Sequence, residues 1–247
     1  MQSMRAEERG FTDDRRWMLV DSHGTFLSQR THHHLSTYSA RVQGEDGLVI
    51  TDAAGRELSL QGVRPDKGRS VSVTVWDDTF GVPEVEAPDL GTFLGLPGAR
   101  LVYMAPHSIR PVDPRYARNK ETVSFADGYP YLISSSASLA ELERRIGYSV
   151  GMLRFRPNIV VDGTRPFVED GWTRIRIGRT TMRLPKPCAR CIMVTLEPKT
   201  GRKDLTVLST LAAFRKSGNK TLFGMNALAE TTGHEIAVGD NVEVLES

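Results

Sequence analysis

The chain is poor in cysteine. Its 247 residues hold only Cys188 and Cys191, three positions apart, and two cysteines do not make a disulfide framework. A small stapled secreted fold is thereby excluded, and reduced thiols in the cytoplasm are expected. Long apolar runs are missing as well. No stretch approaches the roughly 18 residues of a membrane span, and the polar start, Met1 to Asp14, lacks the apolar core of a signal peptide. Charge of one sign is scarce: the net charge is +2 and basic residues are spread along the chain, whereas a nucleic-acid binder concentrates them in a stripe. Histidine is limited to His23, the run His32-His33-His34, His107 and His234, none at ligand spacing from the cysteines. Internal repeats and low-complexity segments are absent.

What remains is an ordinary globular composition, 39% hydrophobic and 25% charged, long enough for one or two domains. The first third reads as short strands with Gly and Asp turns: Arg16 to Asp21, a return strand Thr25 to Arg30, Ser36 to Gln43, Leu48 to Thr51, Arg56 to Leu60, and the period-two run Ser70 to Trp76. The Pro- and acid-rich passage Val82 to Pro88 reads as a linker. Asp89 opens a short helix with Leu90, Phe93 and Leu94, and Arg100 to Met104 returns to strand. Residues 106–120 form a basic loop. Ser138 to Ile146 is a helix with Ser138 and Glu141 as capping box and Gly147 at its end. A second helix begins near Thr206 and ends at Arg215 to Gly218. Further strands are expected at Asn158 to Val161, Trp172 to Ile177, Cys191 to Leu196, Leu222 to Asn226 and Ile236 to Val244. The pattern predicts a mainly β fold with a few helices, in two lobes.

The stretch Pro185-Lys186-Pro187-Cys188-Ala189-Arg190-Cys191 concentrates the chemistry. A Cys-x-x-Cys pair suits a zinc site, but four ligands are needed. A thioredoxin-like redox pair wants a helix N-terminus, and the β-branched run after Cys191 reads as strand. Both cysteines also fit as small buried hydrophobes. A further reading is one soft thiolate on a transition metal carried by an organic cofactor, with Arg190 beside Cys191 favouring the thiolate by charge.

Around it stand four other groups. In Arg154-Phe155-Arg156-Pro157-Asn158, proline pushes Arg156 toward an extended backbone, so that Arg156 and Asn158 project together. A cationic fork beside an amide suits a phosphate and a heterocycle edge, and equally a surface ion pair and a turn. Asp14-Arg15-Arg16-Trp17 offers an anion-binding arginine or a solvated edge. Phe125 to Pro130 is a turn with Asp127 at its apex, fit for proton transfer or plain turn chemistry. In Phe223-Gly224-Met225-Asn226, glycine permits close backbone approach to a ligand or fits a bulge.

The order of these motifs resembles the MOSC-domain family that binds molybdenum cofactor, preceded by its β-barrel domain. The residues carrying the likeness are Asp14 to Asp21, Val123 to Pro130, Ser138-Leu139, Arg154 to Ile159, Glu169 to Trp172, Cys188 to Ile192, Phe223 to Asn226, and Val238-Gly239-Asp240. The resemblance implies a MOSC N-terminal β-barrel domain over 1–85 and a MOSC domain over 89–247. It implies that Cys191 supplies a thiolate to molybdenum beside the pyranopterin dithiolene sulfurs. Arg15, Arg156, Asn158 and Asn226 would bind the cofactor, and Asp127 would sit near the metal as a catalytic group. The implied reaction is reduction of N-hydroxylated compounds such as amidoximes, hydroxylamines and N-hydroxylated bases. Electrons would come from a separate flavoprotein, ferredoxin or cytochrome-type protein, since the chain has no iron–sulfur ligands. A non-catalytic cofactor carrier or sulfur-transfer module is the other implied role, and pyridoxal phosphate binding belongs to the same family associations. Family members carry a strand with a lysine and a serine before the Asp-Arg-x-Trp segment, where here only Met1 to Asp13 stand, so the first barrel strand is expected to be missing.

Overall fold

The computed structural model describes residues 3–66 and 68–247; Met1, Gln2 and Lys67 lie outside it. Its order begins β1 (Ser3–Glu7), β2 (Gly10–Phe11), β3 (Trp17–Val20), β4 (Ser39–Gln43), β5 (Gly47–Thr51), β6 (Glu57–Gln61), β7 (Ser70–Val75), β8 (Asp78–Val85), α1 (Leu90–Leu94) and β9 (Arg100–Tyr103). It continues with β10 (Tyr131–Ser135), α2 (Ser136–Ile146), β11 (Ile159–Val161), β12 (Arg174–Ile177), β13 (Thr180–Arg190), α3 (Leu205–Phe214), β14 (Lys216–Ser217), β15 (Lys220–Ala229), β16 (Glu235–Ala237) and β17 (Val242–Glu246). The fold is mainly β with short helices.

Two compact units result. One holds Arg15–Arg110 and Pro198–Arg202; the other holds the described residues up to Asp14, Pro111–Glu197 and Lys203–Ser247. The first contains the sheet β3-β9-β8-β7 and the sheet β4-β5-β6, with Leu48, Ile50, Leu60, Leu90, Leu101 and Tyr103 packed together. The alternation of β7, with Val71, Val73 and Val75 buried and Ser70 and Ser72 exposed, is the period of a half-buried strand. The first part of the passage read as a linker, Val82 to Val85, is instead the end of β8. Residues up to Pro83 pair with β7, then Glu84 and Val85 pair with β9. Proline lacks an N–H and falls where the strand exchanges partners, while Val82 and Val85 are buried. The expected return strand Thr25 to Arg30 also fails to form. Only isolated bridges from Phe26 to Val20 and from Thr25 to Thr74 occur, because the Asp21 carboxylate accepts the N–H groups of His23 and Thr25 and closes a tight turn. Ser36 and Thr37 fall in a short 3-10 turn, His33–Thr37, so β4 starts at Ser39.

The second unit is built on the sheet β11-β10-β15-β13-β12-β17, with β14 paired to β15, and on a smaller sheet β16-β1-β2. Two strands thus precede Trp17, the first strand expected from the pattern. Tyr131 at the head of β10 ties them in, its hydroxyl donating to Glu7 O at 2.6 Å and its ring edge-on to Phe11. The core gathers Tyr131, Ile133, Trp172, Ile175, Ile177, Met182, Leu184 and Met225. α2 and α3 cover another cluster with Leu142, Phe155, Val194, Val207, Leu211 and Phe223. The α2 cap differs from the expected box: Ser135 is the N-cap, accepting from Ala137 and Ser138 N–H. Ser138 is fully buried, and its hydroxyl donates to the Glu169 carboxylate at 2.6 Å while accepting from Phe167 N–H. A hydroxyl with two tertiary partners is not available to cap. Val238-Gly239-Asp240 interrupts the last expected strand, since Asp240 turns back to accept Ala237 N–H.

Among the described residues no helix is long and apolar enough to cross a membrane, and no group of three or more His, Cys, Asp or Glu side chains is placed to hold a metal ion.

Candidate functional site

The cysteine strand β13 is central, between β15 and β12, yet carries Pro185 and Pro187. Two irregularities make this possible. Arg183 pairs with Leu228 but Lys186 with Asn226, so β13 holds one residue too many around Pro185. Pro187 pairs with Met225 but Ala189 with Leu222, so β15 holds one too many, Phe223 and Gly224, opposite Cys188. Bulges leave residues outside the ladder, which accommodates the prolines, and they re-aim the side chains that follow. Gly224 carries the second bulge with φ +76°, a backbone that side chains rarely adopt. The Asn226 amide spans the distorted stretch, donating to Pro187 O at 3.3 Å.

The strand ends at Arg190. Cys191 is not the head of a strand, as the β-branched run after it suggests; it is the extended residue before a 3-10 turn, Ile192–Thr195. Thr195 explains the difference. Its hydroxyl donates back to Ile192 O at 2.7 Å, and its buried carbonyl accepts from Asp204 N–H and from Arg154. Val194 meanwhile enters the core beside Val207 and Leu211. Cys188 and Cys191 are both outside any disulfide and both half-buried.

The arginine between them faces the other cysteine than expected. Arg190 places Nη1 3.0 Å from Cys188 Sγ and Nη2 2.8 Å from Phe155 O. From the opposite side, buried Arg154 donates to Val150 O at 2.8 Å and Thr195 O at 3.2 Å. The two guanidinium groups clip the Met152–Phe155 turn to the strand before Cys191 and to the turn after it. The stacked rings of Phe155 and Phe223, 4.1 Å apart, reinforce the clip. The sequence pairs Arg190 with its neighbour Cys191, although Arg190 and Cys188 lie two positions apart, the spacing that puts side chains on one face of a strand; nothing in the sequence marks Arg154.

Arg156 follows this anchored turn. Its backbone is left-handed (φ 53°, ψ 43°), not extended, and its side chain is exposed. Proline after it disfavours the right-handed helix, but the chain must also close the turn, which Arg156 N–H does onto Leu153 O. Non-glycine residues in this region store strain and persist where the surroundings fix them. Asn158 is half-buried and strongly engaged: Oδ1 accepts Leu132 N–H at 2.8 Å, and Nδ2 donates to Asp14 Oδ2 at 2.5 Å. The amide retains one N–H of two for any ligand. Its bond to Asp14 fixes the residue before Arg15, which is half-buried, left-handed (φ 54°) and stands ahead of β3 in the other unit. Asp127 is exposed in the turn after Ser124. Two residues on, the Tyr129 ring lies 5.0 Å from the Lys186 ammonium, which also sits 4.3 Å over Tyr116. The Asp127 turn and the cysteine strand thus meet through a cation held on aromatic faces. Burial, with the Asp113 charge second, pushes the Tyr129 phenol up. Structure therefore brings Cys191, Arg156, Asn158 and Asn226 onto neighbouring elements of one unit, with the Asp127 turn joined to β13 by Lys186.

A buried pair holds the basic loop beside this region. Arg183 donates to Glu121 Oε1 at 2.8 Å and to Tyr116 O, while Glu121 Oε2 accepts the N–H groups of Arg118 and Asn119. Burial raises the Glu121 carboxyl, but these N–H groups and the Arg183 guanidinium outweigh it and leave it below the ordinary 4.5. Its contribution to stability is present above that pH and lost as pH falls through the lowered value. Glu121→Gln should lose about 2 kcal/mol at pH 7 and show a shallower loss of stability toward acid than the parent, read by urea unfolding at pH 7 and pH 3.

Comparison with known proteins identifies the family. Residues 120–243 match the MOSC domain and residues 1–89 the MOSC N-terminal beta barrel domain. The chain belongs to the MOSC-domain family. This MOSC chain is 32% identical to mitochondrial amidoxime-reducing component 1 of Homo sapiens, over 94% of its own length and 73% of that protein's. It is 33% identical to mitochondrial amidoxime reducing component 2 of Bos taurus, with 94% and 73% covered. It is 27% identical to the molybdenum cofactor sulfurase of Homo sapiens, over 88% of the chain but 27% of that protein.

Proposed function

We propose that this MOSC protein is a molybdenum-cofactor oxidoreductase that reduces N-hydroxylated compounds. Likeness to the amidoxime-reducing components over 94% of the chain carries the reading. The donors also suit the cofactor: a half-buried thiol outside any disulfide, a soft ligand for molybdenum, with an exposed guanidinium at Arg156 and amide donors at Asn158 and Asn226 on the same unit. Cys191 would ligate the metal. Arg156 would hold the phosphate, and Asn158 and Asn226 the pterin edge. Bound there, the cofactor supplies two-electron chemistry at the metal.

The chain's own part is positional. Arg154 and Arg190 fix Cys191 and the Arg156-Pro157-Asn158 segment as one block, and Asn158 fixes Asp14 ahead of Arg15. Asp127, exposed beside the cysteine strand, would hand a proton to the departing oxygen. The balance is two electrons and two protons per N–O bond cleaved, giving the N–H compound and water. Two cysteines fall short of the four thiolates of an iron–sulfur cluster, so the electrons are assigned to a separate flavoprotein, ferredoxin or cytochrome-type donor. Two cysteines without a disulfide suit a reducing compartment such as the cytoplasm. Pyridoxal phosphate has no part in this reading: it wants a Schiff-base lysine, and Lys186, the lysine on the cysteine strand, is held on two tyrosine rings.

Likeness to the sulfurase supports the second reading, a carrier or sulfur-transfer module. Turnover separates them. Protein made in a cofactor-competent host should convert benzamidoxime to benzamidine with a chemical or flavoprotein electron donor; bound cofactor with no turnover under any donor would favour the carrier.

A further inference from the structure

Helix α3, Leu-Thr-Val-Leu-Ser-Thr-Leu-Ala-Ala-Phe, is apolar on nearly every side, a pattern that ordinarily means cover on every side. Val207 and Leu211 are buried against Val194 and Phe223. The opposite stripe, Leu205, Leu208, Ser209 and Ala212, is only partly covered: Leu208 and Ala212 are half-buried, Ser209 is exposed and Leu205 is 62% exposed. That stripe faces Lys216, Asn219 and Thr221 of the β14–β15 hairpin across an open groove of about 460 Å³.

We propose that this groove binds the apolar body of the N-hydroxylated substrate, an aryl or alkyl group, and so sets which substrates are taken; the inference rests on the function proposed above. Both walls are built on elements that adjoin segments flanking Cys191. Thr221 pairs in register with Arg190, the residue before Cys191. α3 packs through Val207 and Leu211 onto Val194, within the turn after Cys191. The volume is that of a small-molecule site, at the lower end of roughly 300–1,000 Å³. A protein partner would need about 800 Å² on its side, far more than seven side chains around one groove offer. Lys216 and Asn219 at the rim provide the few polar contacts that orient an otherwise apolar ligand.

Ser209 is exposed and its hydroxyl bonds back to Thr206 O, so Ser209→Trp fills the groove without disturbing the core. Leu205→Asp, also at an exposed position, makes the same wall polar. With no electron donor present, benzamidoxime added to wild-type protein should shift the NMR signals of the Leu205, Leu208 and Ala212 methyl groups. Its affinity should fall roughly ten-fold or more in each variant. In turnover the KM for benzamidoxime should rise equally with kcat kept, while hydroxylamine, which has no apolar body, is reduced as by the parent. Unchanged benzamidoxime binding in both variants would overturn the proposal, as would a parallel rise in KM for hydroxylamine. Should no preparation turn over any substrate, the proposed reduction fails, and the binding titration still decides the groove.

Discussion

Replacing Gly224 by valine is expected to remove a large share of the protein's stability. Gly224 lies mid-strand in β15 between buried Phe223 and Met225, with φ +76°. A Cβ there would stand 2.5 Å from Ser134 Oγ and 2.7 Å from the backbone oxygen of Ile133. The serine is fully buried and the carbonyl belongs to β10, so neither gives way cheaply. The left-handed backbone adds its own cost, which a β-branched residue bears worst. On the order of 4 kcal/mol is the scale of such combined clash and strain, against a total of about 5–15 kcal/mol. Gly224→Ala tests the same contact more gently. It should unfold at clearly lower urea than the parent, and whatever stays folded should bind cofactor poorly, because the bulge opposite Cys188 can no longer form. An unchanged unfolding midpoint would mean that the ladder absorbs the Cβ and that the bulge does not constrain the cysteine end.

The second large effect is expected at the cysteines, and it is asymmetric. Cys191→Ser should abolish turnover, since a hydroxyl is a harder and far weaker donor than a thiolate to a metal that favours sulfur. Cys188→Ala should keep most activity. The structure sharpens this contrast. Arg190 engages Cys188, not Cys191, at 3.0 Å, so Cys188 serves as one end of the clip that reaches Phe155 O. Losing that contact leaves the 2.8 Å bond to Phe155 O in place. Turnover retained by Cys191→Ser and lost in Cys188→Ala would show that the ligand and the clip had been assigned the wrong way round.

Much of this fold is legible in the residues. The buried–exposed alternation of Ser70 to Val75 and the apolar face of α2 are local signals, and local periodicity survives into the structure. Features that depend on distant partners are not legible in the same way. Val82 to Pro88 reads as a linker because Pro and Glu dominate it, yet Val82 and Val85 are buried and Pro83 sits at a change of strand partner. Ser138 reads as a cap because Glu141 follows at the right spacing, yet Glu169, thirty-one positions on, takes its hydroxyl. The residues around Cys191 show both sides. Cysteine, arginine, asparagine and glycine mark the region chemically. That β13 ends one residue before Cys191 follows from Thr195, whose partners Arg154 and Asp204 come from either side in the chain. The clip that Arg154 and Arg190 form is illegible for the same reason, since a contact between two distant segments has no spacing of its own, and Arg190 reads instead as a partner of Cys191.

Metal and pterin content of the unmodified protein tests the central claim most directly. Purified from a host that makes the cofactor, the chain should carry about one molybdenum by elemental analysis and release a fluorescent pterin on acid oxidation. Cys188→Ala should match it, and Cys191→Ser should lose the metal. Metal-free wild-type protein from such a host, or molybdenum retained in full by Cys191→Ser, would contradict the assignment of Cys191 as the ligand.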